Sequence, residues 1–123
     1  MEAFPQESCG LLIGRETPSG TIVRRVERAR NVTAGDSTRE FTIDPTDWMH
    51  IESAARRDGL DVVGVWHSHP NRMARPSRAD FTSAWNGYSY CIARVTDEGL
   101  KDLRAWRRIE EVFLEQQVLD QRN

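Results

Sequence analysis

Two histidines one residue apart, His67 and His69, follow directly on an apolar run at residues 62–66 and are closed off by Pro70. The run predicts a buried strand, which the proline stops. In an extended chain alternate side chains share a face, so His67 and His69 can reach one point while Ser68 points elsewhere. Seven residues on, Pro76-Ser77-Arg78-Ala79-Asp80 reads as the start of a short helix, with Ser77 as N-cap and Asp80 in the first turn. Such a turn can bring the Asp80 carboxylate back towards the imidazoles. Two nitrogens and one oxygen are the ligand set of a catalytic zinc, with a fourth position left for water.

Each of these residues has a plainer alternative. Asp80 as a simple capping-box carboxylate would curl back to Ser77, whereas a ligand carboxylate must face the metal. Ser77 either caps the helix or donates a hydrogen bond to a developing oxyanion, and both roles are compatible with one position. A zinc-activated water also needs a base to take its proton and return it to the leaving amine. Glu7, Glu16, Glu40 and Asp61 are the candidates outside the loop. Glu7 is favoured because it directly precedes an apolar strand bounded by Gly10 and Gly14, against the alternative of an ordinary solvent-facing glutamate.

The rest of the chain predicts an α+β domain in which a central mixed or antiparallel sheet is flanked by helices. Residues 1–8 read as the end of an N-terminal helix and residues 9–14 as a buried strand. Thr17-Pro18-Ser19-Gly20 is a turn, residues 21–30 form a strand with one wet face, and residues 31–39 form a polar loop. A short strand is expected at 40–43. Asp44-Pro45 opens the clearest helix, with Trp48, Ile51, Ala54 and Ala55 at helical spacing and Gly59 at its end. After Asp80 the helix is expected to continue through Trp85. Residues 88–95 and 100–107 read as strands, while 109–119 suit helix by glutamate and glutamine content and strand by alternation.

At 123 residues with no repeat or linker, residues 1–123 read as a single domain. The 17 basic residues against 19 acidic ones leave a net charge of −2, which argues against nucleic acid or a membrane surface as partner. No apolar run approaches the roughly 20 residues that span a bilayer, and no signal peptide is visible. A cytoplasmic protein with Cys9 and Cys91 as reduced thiols is the expectation. Cys9 reads as a small buried thiol, Cys91 as core and His50 as a surface residue, whereas Arg72, Met73 and Arg75 lie in the loop at the mouth of the site. Exposed edges in so small a sheet suit a homodimer.

On two of these stretches the chain resembles a known family, the JAMM (MPN-plus, Mov34/PAD1-type) zinc metalloproteases. They are Pro5-Gln6-Glu7-Ser8-Cys9-Gly10-Leu11-Leu12-Ile13-Gly14 and His67-Ser68-His69-Pro70 through Pro76-Ser77-Arg78-Ala79-Asp80, with softer similarity over 41–45 and 88–106. The resemblance implies the cytidine-deaminase-like JAMM/MPN fold, Zn²⁺ on His67, His69 and Asp80, Glu7 as acid and base, and Ser77 supporting the tetrahedral intermediate. It also implies hydrolysis of the peptide or isopeptide bond after the C-terminal Gly-Gly of a ubiquitin-like protein. The short, insertion-free chain looks like the prokaryotic branch, whose partners are the tails of sulfur-carrier proteins or small modifiers. The family carries a complete helix before the glutamate, where six residues precede Glu7 here, so the positioning of Glu7 is the expected weak point. One rival reading is a non-catalytic scaffold or protein-interaction domain of the related metal-free type, which generally lacks the ligands this chain keeps. Another is a DNA-repair-associated relative, against which the near-neutral charge and the His-Ser-His-Pro form both weigh.

Overall fold

Six strands join in one mixed sheet in the computed structural model, which describes residues 4–77, 80 and 88–119. In chain order the elements are β1 (Cys9–Thr17), β2 (Gly20–Ala29), α1 (Pro45–Arg57), β3 (Asp61–Pro70), β4 (Ser89–Thr96), β5 (Gly99–Ile109) and β6 (Val112–Gln116). Across the sheet the order is β2-β1-β3-β4-β5-β6. All neighbours are antiparallel except β3 and β4, which run parallel and therefore need a crossover between them. That crossover carries Ser77 and Asp80 past the carboxyl end of β3.

Local chemistry explains most of the boundaries. Pro18 and Ser19 turn β1 into β2, and the Thr17 hydroxyl donates to the Gly20 carbonyl at 2.8 Å. Helix α1 starts where predicted: the Asp44 side chain accepts from the Thr46 N–H at 2.8 Å, and Pro45 follows as the first helical residue. It stops at Asp58, and Gly59 then takes the left-handed φ of 73° that a side chain would resist. Ala55 of α1 is buried with Leu11, Ile13, Val62, Val65 and Tyr90 of the sheet. Phe41, Ile43, Trp48 and Ile51 pack around that cluster.

Two sequence expectations change, one holds, and one open choice is resolved. The described part of the N-terminal segment, residues 4–8, is turn and extended chain and holds no helix. Residues 40–43 form no strand but a single bridge between Asn31 and Ile43, because Asn31 Oδ1 and two backbone bonds occupy the loop instead. Strand β3 runs on from the apolar run through both histidines and stops at Pro70, as the sequence predicts. The ambiguous C-terminal stretch is strand: Glu110 turns the chain with φ 55°, and Phe113 packs edge-on against Tyr90 with centroids 5.9 Å apart. A helix there would carry Phe113 out of the β5 register. One helix is present among the described residues, and the expected continuation from residue 81 through Trp85 falls outside them.

Candidate metal centre

Strand β3 delivers His67 and His69 to one face because it stays extended through them, and both side chains are about 1% exposed. Their Nε2 atoms face each other at 3.1 Å. Asp80 arrives from the crossover and splits its carboxylate between them, Oδ1 lying 3.1 Å from His67 Nε2 and Oδ2 lying 2.9 Å from His69 Nε2.

Whether a cation fits follows from where the protons are. His69 Nδ1 lies 2.8 Å from the Met73 carbonyl, which can only accept, so Nδ1 carries the hydrogen and a neutral His69 turns its Nε2 lone pair into the site. There it meets a carboxylate oxygen and a second imidazole nitrogen. Lone pairs in such a cluster repel one another unless a proton or a metal ion lies among them. Nitrogen and oxygen ligands around a tetrahedral zinc stand about 3.3 Å apart, close to the spacing seen. His67, His69 and Asp80 can therefore hold a metal ion together. Burial lowers the proton affinity of the His67 imidazole, which favours the unprotonated form a ligand needs. Burial also pushes the Asp80 carboxyl up, but its contacts with the His67 and His69 rings and the Ser77 N–H outweigh it and hold Asp80 well below its ordinary range.

Asp80 does not have to choose between cap and ligand. The Ser77 N–H donates to Asp80 Oδ2 at 2.8 Å and the Asp80 N–H donates to Ser77 Oγ at 3.1 Å, while both carboxylate oxygens still face the histidines. Ser77 Oγ uses a lone pair on Asp80 and keeps its own hydrogen to give.

Glu7 stands beside this group. Cys9 lies opposite His67 in the β1–β3 register, and Ser8 and Ser68 continue the pairing, the Ser68 N–H reaching the Ser8 carbonyl at 2.9 Å. One step further puts Glu7 level with His69. The carboxyl is 1% exposed. Burial pushes it up to about 7, against the lowering pull of Arg72 and His69. Two contacts from the loop between β2 and α1, and one from Arg72, hold it. The Glu7 N–H donates to the Ser37 carbonyl at 2.6 Å, and Asn31 Nδ2 donates to the Glu7 carbonyl at 3.1 Å. Arg72 Nη2 donates to Glu7 Oε2 and, at 3.2 Å, to the Arg39 carbonyl.

The other candidate bases lie elsewhere. Glu16 is exposed and bound to Thr21 and Arg107, Glu40 accepts from Thr33, and Asp61 is exposed at the opposite end of β3. Cys9 is fully buried and burial pushes its thiol up to about 12, which leaves it inert as a nucleophile. His50 is exposed, and Cys91 is half-buried rather than core.

Sequence reasoning did not find Arg72 as the partner of Glu7, although it placed that arginine at the mouth of the site. Nor did it find Phe41, whose ring stacks on His67 with centroids 4.4 Å apart. Phe41 also lines an apolar cleft of about 490 Å³ with Ile43, Trp48, Met49, Val65 and Tyr90, into which His67 and Asp80 open.

With this geometry in view, comparison with known proteins is specific. The family of prokaryotic homologs of the JAB domain matches residues 1–109. A desampylase of Haloferax volcanii is 35% identical over 91 residues, which make up 72% of this chain and 62% of that protein. A probable TtuB-protein conjugate cleaving protease of Thermus thermophilus is 34% identical over 80 residues, 65% of this chain and 50% of that one. The chain thus spans between half and about three fifths of the length of these two relatives. The solution structure of a protein from Desulfitobacterium hafniense superposes with a TM-score of 0.84 at 28% identity, covering 96% of this chain and 80% of that one.

Proposed function

The chain belongs to the prokaryotic JAB-domain family, and from that premise we propose that it is a Zn²⁺-dependent hydrolase. In this reading it cleaves the peptide or isopeptide bond after the C-terminal Gly-Gly of a ubiquitin-like modifier or sulfur carrier. The observation that carries the proposal is the convergence of His67 Nε2, His69 Nε2 and the Asp80 carboxylate, with the two nitrogens 3.1 Å apart and one Asp80 oxygen 2.9–3.1 Å from each, and a buried carboxyl at Glu7 beside them. The names of the relatives, a desampylase and a conjugate-cleaving protease, support the substrate class.

His67, His69 and Asp80 would hold a divalent ion, which would supply Lewis acidity to the attacking water and the scissile carbonyl. Everything else falls to the chain. Glu7 takes the proton of the attacking water and returns it to the departing amine. Burial at this position favours the neutral form of Glu7 and so helps it hold the proton between the two transfers. Ser77 gives its hydroxyl hydrogen to the oxygen of the tetrahedral species while its lone pair keeps Asp80 in place. The cleft beside His67 takes an apolar side chain of the substrate tail.

Among the described residues no helix is long and apolar enough to cross a membrane, and Cys9 and Cys91 are free thiols. Free thiols suit a reducing compartment, and we propose the cytoplasm. Strands β2 and β6 are the two sheet edges, and a homodimer through one of them is the assembly this reading accommodates.

Metal analysis paired with turnover tests the reading. Purified protein should carry one zinc per chain and cleave a Gly-Gly-linked conjugate, and Glu7→Ala should keep the zinc and lose cleavage. Zinc-free protein after gentle purification, without turnover on zinc addition, would favour a non-catalytic scaffold.

A further inference from the structure

Arg72 is 65 residues from Glu7 in sequence and touches its carboxylate. The turn that brings it there is well anchored. Asn71 takes a left-handed φ of 58°, a conformation asparagine tolerates better than most residues, and its N–H donates to the Val95 carbonyl of β4 at 2.7 Å. The chain leaving β3 is thereby folded back so that Arg72 reaches Glu7. One nitrogen, Nη2, serves both Glu7 Oε2 and the Arg39 carbonyl.

An ordinary surface ion pair leaves both partners in water and contributes little. Here the glutamate side chain is fully buried and the arginine side chain is 29% exposed. The two oxygens of Glu7 are also unequal. Oε2 is held by the guanidinium, whereas Oε1 is buried with no hydrogen-bond partner among the described residues. A buried carboxylate oxygen without a partner is costly, and at a reaction centre it marks the atom waiting for one.

We propose that Arg72 is a positioning residue of the reaction: by tying Glu7 Oε2 to the Arg39 carbonyl it leaves Oε1 as the oxygen that takes and returns the proton. The inference rests on the hydrolase reading above. Because both bonds come from one nitrogen, a lysine ammonium with its three donors can make the same pair.

The test compares wild type, Arg72→Met, Arg72→Lys and Glu7→Gln on a peptide ending in Gly-Gly amide-linked to 7-amino-4-methylcoumarin, at saturating zinc. Arg72→Met should lower kcat by about 10–100-fold with KM within about twofold, the usual effect of a misplaced catalytic group. Its zinc stoichiometry should stay at that of wild type, and Arg72→Lys should recover most of the loss. Wild-type kcat in Arg72→Met beside a dead Glu7→Gln, or a loss confined to KM, overturns the proposal and leaves the hydrolase reading standing. If wild type itself does not cleave the peptide, that reading fails on this probe while the contact is still read without turnover. Slowed rotation of the Arg72 guanidinium in ¹⁵N spectra, lost in Glu7→Gln, is the expected result; free rotation in wild type overturns it.

Discussion

Ser77 and Asp80 hold each other by two hydrogen bonds that run in opposite directions, Ser77 N–H to Asp80 Oδ2 at 2.8 Å and Asp80 N–H to Ser77 Oγ at 3.1 Å. This reciprocal cap aims the carboxylate. With Oδ2 fixed by a backbone N–H, the carboxylate plane is set, and Oδ1 and Oδ2 each meet one histidine. The reciprocal pair of bonds thereby supports a group of three side chains that could hold a metal ion.

Ser77→Ala should therefore show two separable losses. Removing the acceptor for the Asp80 N–H costs about 1 kcal/mol of local stability and should weaken metal affinity about tenfold, as chelator competition would read. Removing the hydroxyl hydrogen should lower kcat by about 100-fold even at saturating metal. Ser77→Thr keeps both functions of the hydroxyl and should stay near wild type. A kcat for Ser77→Ala that recovers fully with added metal would reduce the serine to its capping role.

Asp80→Asn tests the charge on the same group. The amide keeps the shape of the carboxyl but brings no negative charge to two buried imidazoles. Metal at about 100 times its dissociation constant should stabilise the wild-type fold by about 2.7 kcal/mol, or about 10 °C in Tm for a chain of this size. Chelation should abolish that shift in wild type, and Asp80→Asn should lack it from the start. A full zinc-dependent shift in the variant would exclude Asp80 as a ligand.

Much of this site was legible because it depends on short-range rules. The strand period of two joins His67 to His69, and the cap spacing of three joins Ser77 to Asp80, so both pairs could be read without a fold. Glu7 could be singled out by its place before Cys9-Gly10-Leu11, but not what fixes it. Asn31, Ser37, Arg39 and Arg72 come from distant loops whose paths depend on the left-handed Asn71 and on the bridge at Ile43. No local periodicity encodes such contacts. Phe41 illustrates the same limit: its apolar, strand-forming character was visible, but its use as a lid over His67 rather than as a ladder residue was not. Around β6, glutamate and glutamine content against the alternation of Val112, Leu114 and Val118 left the choice between helix and strand open until Phe113 met the Tyr90 ring as a tertiary partner.

The buried Glu7 makes stability depend on pH in a direction that can be worked out. Its carboxyl is pushed up to about 7 from an ordinary value of 4.5, chiefly by burial. The native state therefore binds the proton more tightly than the unfolded chain. Its contribution is complete below pH 4.5 and is lost as pH rises through 7. By pH 8 the ionised group costs at most about 3 kcal/mol. In metal-free protein, Glu7→Gln should match wild type near pH 4 and become progressively more stable than it by pH 8. A gap that is constant with pH in thermal unfolding curves would contradict the assignment.

Met49 lines the apolar cleft yet is 58% exposed, so it can be changed with little effect on the core. If the substrate tail lies in that cleft, burying a methionine-sized apolar surface is worth about 1.5–3 kcal/mol, which corresponds to about 10–100-fold in binding. Met49→Glu removes that surface and places a charge against an apolar ligand, while an exposed helical position tolerates glutamate within about 0.5 kcal/mol of folding stability. The expected outcome is a raised KM for a Gly-Gly conjugate with kcat and Tm close to wild type. Binding that is lost together with turnover rate would place Met49 nearer the reacting bond than the cleft geometry allows. An unchanged KM would move the tail out of the cleft altogether, leaving Phe41, Ile43 and Trp48 as packing around His67.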